Sequence, residues 1–88
     1  MKDMNMKKNK LPKWFDGTIY ENGDIIINPF SKESYKLNGE ELSMYDFIIG
    51  AQMLFDLGMQ DESILNDYHK GLDWFRKHNP KAYMVLLD

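Results

Sequence analysis

Eleven of the sixteen residues from Leu42 to Leu57 are apolar, more than one face of a helix holds when successive positions are laid out at about 100°. A helix of this kind must be covered on more than one side. A chain of 88 residues has little other material for the purpose, so the segment predicts a tightly folded small domain with apolar surface left for a partner. That expectation concerns contacts, and nothing in the pattern calls for a particular reaction.

The remaining composition sets limits. With no cysteine, neither a disulfide framework nor a thiolate metal site or nucleophile is available. No apolar run approaches the length of a membrane span. The lysine-rich start is not followed by the apolar segment a signal peptide requires, so the chain reads as soluble and cytoplasmic, with no membrane contact. Residues 1–13 hold five lysines against Asp3, a net charge of +4, while the rest of the chain carries −7. We therefore expect a disordered basic arm over residues 1–10 and a single domain over 11–88. Lys7, Lys8, Lys10 and Lys13 are the candidates for touching nucleic acid, although an acidic body repels a phosphate backbone.

From Leu11-Pro12 onward the chain alternates between structure formers and breakers. Trp14 and Phe15 supply large apolar area. Asn22-Gly23 lies between Thr18-Ile19-Tyr20 and the strand-like run Asp24 to Ile27, which predicts a two-residue hairpin with Tyr20 facing Ile25. Asn28-Pro29 ends that strand, and Tyr35-Lys36-Leu37 can add a third. Asn38 and Glu41 have the spacing of a capping box, so a helix is expected from about Gly39 to Leu57, closed by Gly58. Met44, Phe47, Ile48, Ala51, Leu54 and Phe55 form its core stripe, with Leu42, Tyr45, Ile49, Met53 and Leu57 in surplus. Gly50, in mid-helix, is expected to mark close approach by a neighbour, and Asp46 is expected to share the solvent face with Ser43.

A second helix, capped by Asp61 or Ser63 and ending near His78, carries Leu65, Tyr68, Leu72 and Phe75 as a single stripe. Trp74 stands at the stripe's polar boundary, either packed or exposed as an anchor. Asn79-Pro80 can start a final short helix through Leu87, and the same apolar run can equally be a strand. The resulting fold class is α+β: an antiparallel hairpin or three-stranded meander, two antiparallel helices, and a short C-terminal helix or strand.

Motifs that carry chemistry are scarce. Glu62, Asn66, His69 and Asp73 lie along one side of the second helix, where His69 and Asp73 are weak candidates for a metal or for a base with its orienting carboxylate. Two ligands do not make a site, and no nucleophile or phosphate-binding glycine pattern accompanies them, so neither a cofactor nor enzymatic activity is expected. The surface expected to meet a partner is instead Trp14, Phe15, Tyr45, Ile49 and Trp74.

Five blocks, Leu11 to Gly17, Asn28 to Ser31, Leu42 to Ile48, Gly71 to Arg76 and Ala82 to Asp88, together resemble small proteins without assigned function that are encoded by marine tailed bacteriophages. The resemblance covers residues 11–88. It implies a phage setting, the cytoplasm of an infected bacterium, and an accessory role in binding host or phage proteins; it implies no mechanism. A protein–protein interaction module, homodimeric in one version, is thus the leading expectation. A nucleic-acid accessory protein comes second and a metal-dependent enzyme third.

Overall fold

A computed structural model describes residues 11–88. The expected disordered arm, residues 1–10, lies outside the described residues, as do Lys7, Lys8 and Lys10. The fold is α+β: a two-stranded antiparallel sheet of β1 (Asp24–Ile27) and β2 (Ser34–Leu37), then α1 (Gly39–Asp56), α2 (Glu62–His78) and α3 (Pro80–Leu86).

The hairpin forms one strand later than Asn22-Gly23 predicts. Asp24 pairs with Leu37, Ile25 with Lys36, Ile26 with Tyr35 and Ile27 with Ser34. Residues 18–20 are not a strand. A type I′ turn needs left-handed backbone at both central residues, and among the described residues only Lys32 and Gly58 have positive φ. Gly23 is needed for a different reason. A Cβ there would lie 1.7 Å from the Leu37 carbonyl oxygen, so its backbone is pressed against the end of β2. The turn falls instead at residues 28–33, where the Asn28 amide donates to the Glu33 carbonyl and Asn28 Oδ1 accepts from the amides of Phe30 and Ser31. This register sends Leu37, fully buried, and half-buried Tyr35 and Ile26 into the core. Ile25 and Ile27 stay on the solvent face.

The start of α1 follows the sequence closely. Asn38 Oδ1 accepts from the Glu41 amide at 2.8 Å, and Glu41 Oε1 accepts from the Asn38 amide at 2.9 Å. Its end is a Schellman turn. The Met59 amide donates to the Leu54 carbonyl and the Gly58 amide to that of Phe55, with Gly58 at φ 98°. Asp61 caps α2, accepting from the amides of Ser63 and Ile64. Asn79 caps α3 through the Ala82 amide, with Pro80 in the first turn, so the final apolar run is helix rather than strand. An Asn lies at the hairpin's other end too, where Asn28 Nδ2 donates to the Val85 carbonyl and ties α3 to the turn.

Met44 and Ile48 of α1, Phe75 of α2, Ala82 and Leu86 of α3 and Leu37 of β2 make the core. Leu11, Trp14 and Phe15 pack against it from outside, and Trp14 and Phe15 both meet Phe47 edge-on with ring centroids 5.9 Å away. The first half of α1 is therefore covered on two sides, as its composition requires. Two positions depart from the sequence reading. Gly50 is exposed with nothing near it; the close approach is at Gly71 of α2, where a Cβ would lie 3.1 Å from Met44 Sδ and 3.5 Å from Ile48 Cγ1. Ser43 is fully buried rather than solvated. The segment around Tyr20 crosses over it, so that Ser43 Oγ donates to the Gly39 carbonyl and accepts from the Tyr20 amide at 2.8 Å. Asp46 is exposed.

Candidate functional site

The five residues expected to meet a partner are all half-buried. Trp14 and Phe15 form an aromatic cluster with Phe47, and the Lys70 ammonium sits 5.8 Å from the Trp14 ring centroid. Trp74 stacks on His78 one turn later, with centroids 4.2 Å apart and planes 12° from parallel. Tyr45 and Ile49 flank the buried stripe of α1, and burial pushes the Tyr45 hydroxyl above its ordinary pKa of 10.0. The structure thus brings Trp14 and Phe15 together and joins Trp74 to a ring of its own helix.

More exposed apolar side chains lie elsewhere: Phe30 is 93% and Ile25 and Ile27 each 59% exposed on the hairpin, and a further group lies toward the end of α1. α1 and α2 run antiparallel: Gly71 faces Met44 and Ile48, while Tyr68 meets Phe55 edge-on at 5.4 Å and its hydroxyl accepts from Gln52 Nε2. Continuing that register brings Leu65 level with the last turn of α1. Met53 and Leu57, one helical turn apart, are 60% and 83% exposed, and Leu54, Met59 and Leu65 are exposed as well. Leu54, expected in the core stripe, belongs to this end instead, and Phe55 is half-buried against Tyr68. Of these only Met53 and Leu57 stand out in the sequence as surplus on α1. Met59 and Leu65 lie outside that helix, and Met59 is tied to it through the bond from its amide to the Leu54 carbonyl.

The patch has one sign of charge around it. From Leu37 to His69 the sequence contains seven carboxylates and no lysine or arginine. Asp56, the last residue of α1, Asp61, the cap of α2, and Glu62, its first residue, are all exposed. α1 has no basic residue in its last turn to offset the negative end of its dipole.

The polar candidates do not converge. His69 lies beside Tyr68, with ring centroids 5.6 Å apart, and the Asp73 carboxylate accepts from Arg76 Nη2. Both are exposed, as are Glu62 and Asn66. Among the described residues no three His, Cys, Asp or Glu side chains gather where one metal ion could be held. An open groove of about 420 Å³ beside residues 21–23 is lined in part by Glu41, but that buried carboxylate is already engaged on both oxygens, by the Asn38 amide and by Asn79 Nδ2 at 3.0 Å. Lys13 is exposed at the start of the described chain. Among the described residues no helix is long and apolar enough to cross a membrane.

No protein family matches the chain, and neither the curated proteins nor the solved structures hold a significant similarity to it.

Proposed function

We propose that the protein is a non-enzymatic protein–protein interaction module whose contact surface is the α1–α2 end, and that a second copy of the chain is one of its partners. The exposed side chains Met53, Leu54 and Leu57 near the end of α1 carry this reading. Apolar side chains exposed within one turn of each other on a helix, without a converging set of catalytic groups, fit a contact surface better than a reaction site. The aromatic cluster of Trp14, Phe15 and Phe47 supports the first half of α1 and leaves its second half free to engage. The phage resemblance over residues 11–88 gives this module a setting, as an accessory protein in the cytoplasm of an infected bacterium.

Light scattering coupled to size-exclusion chromatography tests the reading. The mass should rise from 10.4 kDa toward twice that value with increasing concentration. Leu57→Glu places a charge in the centre of the patch without touching the core, and it should hold the chain at the monomer mass. A wild-type chain that stays monomeric at every concentration, with Leu57→Glu indistinguishable from it in elution and in binding of a hydrophobic dye, would overturn the proposal.

A further inference from the structure

We propose that Asn22 is a site of spontaneous covalent modification, deamidation through a cyclic imide formed with Gly23, and that the isoaspartate it produces loosens the sheet. The chain contains the dipeptide Asn-Gly twice, at Asn22-Gly23 and at Asn38-Gly39. In both, glycine lacks the Cβ that would shield its amide nitrogen from the preceding side chain. In the reaction that nitrogen gives up its proton to hydroxide and attacks the asparagine Cγ. The new C–N bond forms, the Cγ–Nδ2 bond breaks, and ammonia leaves. Water then opens the ring. Cleavage between the ring nitrogen and Cγ leaves aspartate, whereas cleavage between the nitrogen and the main-chain carbonyl carbon leaves isoaspartate, with the chain running through the side chain.

The fold treats the two dipeptides differently. Asn38 is held in its capping box, with Oδ1 accepting from the Glu41 amide and its own amide donating to Glu41 Oε1, and Gly39 is the first residue of α1. Ring closure there has to dismantle the cap. Asn22 is exposed and lies outside both strands, and among the described residues no hydrogen bond engages its side chain or the Gly23 amide. Nucleophile and target are thus adjacent in the chain and unencumbered. Loss of an N-cap is large enough to slow a rate about tenfold, so Asn22 should convert about ten times faster than Asn38.

The consequence comes from what lies on either side of Asn22. Upstream, Ser43 Oγ accepts from the Tyr20 amide at 2.8 Å, and a Cβ on Gly39 would lie 2.4 Å from the Tyr20 carbonyl oxygen and 2.8 Å from that of Glu21. Downstream, Gly23 presses on the Leu37 carbonyl, and Asp24 pairs with Leu37. Isoaspartate lengthens the main chain by one carbon between these two fixed points and adds a carboxylate between Glu21 and Asp24. The extra length has to be absorbed at the Asp24–Leu37 pair, and Leu37 is the strand residue buried in the core.

Full-length protein held in mildly alkaline buffer below its melting transition, and sampled over time, tests this. Peptide mass spectrometry with electron-transfer fragmentation separates isoaspartate from aspartate, and calorimetry follows the same samples. The peptide carrying Asn22 should turn acidic about tenfold ahead of the one carrying Asn38, and a lower-melting species should grow in step with the isoaspartate. Asn22→Gln, whose longer side chain closes the ring poorly, should keep a single transition throughout. Freshly made Asn22→Asp carries the charge without the longer chain and should melt with fresh wild type. Asn22 that stays intact, Asn38 that converts as fast, isoaspartate at position 22 with an unchanged transition, or fresh Asn22→Asp that melts as low as aged wild type would each overturn the proposal.

Discussion

Glu41 does more than its place in a capping box requires. One carboxylate oxygen caps the start of α1, and the other accepts from Asn79, whose own oxygen caps α3. A single buried carboxylate thus fixes two helix N-termini relative to each other. Removing it leaves two polar groups unpaired in a half-buried corner, and Glu41→Ala should cost about 2–3 kcal/mol in urea unfolding. A double-mutant cycle with Asn79→Ala should show non-additivity, since the two side chains share one bond. The glycines of the helices behave oppositely to each other. Gly50→Ala meets open space and should stabilise by about 1 kcal/mol through helix propensity, whereas Gly71→Val must displace Met44 and Ile48 and should destabilise by about 1–3 kcal/mol. Tyr45 gives a pH signature. Its pKa is raised in the folded state, so the native chain holds the phenolic proton longer than the unfolded chain does; stability from this residue is complete below pH 10 and is lost as the pH rises above it. Thermal melting of Tyr45→Phe should therefore fall less steeply than wild type in that alkaline range.

At the scale of elements, α1 and α2 were legible because their boundaries are local chemistry, whereas the run after Asn79-Pro80 read equally as helix or strand. The side chains of Asn38, Asp61 and Asn79 each reach an amide two or three residues ahead, and Gly58 alone supplies the left-handed stop for α1. The hairpin was legible as a structure but not in its position. Asn22-Gly23 favours a tight turn only if the strand before it, Thr18 to Tyr20, can pair without losing a better contact. Here the Tyr20 amide is taken by Ser43, and pairing β1 with β2 buries Leu37 completely. Gly23→Ala should therefore unfold or severely destabilise the domain by driving a methyl group into the Leu37 carbonyl, an effect circular dichroism would register directly.

Across the whole molecule, covering material runs out along α1. Met44 and Ile48 lie in the core with β2, α2 and α3, and Phe47 meets the Trp14-Phe15 pair, while toward the end of the helix Gln52 and Phe55 meet Tyr68 of α2. The apolar excess of Leu42 to Leu57 is thus disposed of unequally, with Leu42, Tyr45 and Ile49 half-buried and Met53 and Leu57 left out. Leu57→Glu should leave the melting temperature within about 2 °C of wild type, as expected for a surface change of under 0.5 kcal/mol, while it abolishes concentration-dependent association. Loss of the fold in that variant would show that the patch packs internally.

That the last apolar run is a helix was left to the structure; by itself the sequence determined where α1 and α2 begin and end, that α1 carries more apolar surface than one neighbour can cover, and that the charge divides between a basic start and an acidic body. These are properties of residues within a few positions of one another, or of simple sums along the chain. Tertiary structure alone decided which strand pairs with β1, which glycine lies at a helix contact, and which half of α1 is left bare. Each depends on competition between segments far apart in sequence. Leu37 outbids Thr18 for the sheet, Gly71 rather than Gly50 meets the facing helix, and the aromatic pair at Trp14 and Phe15 reaches Phe47 but not Leu57.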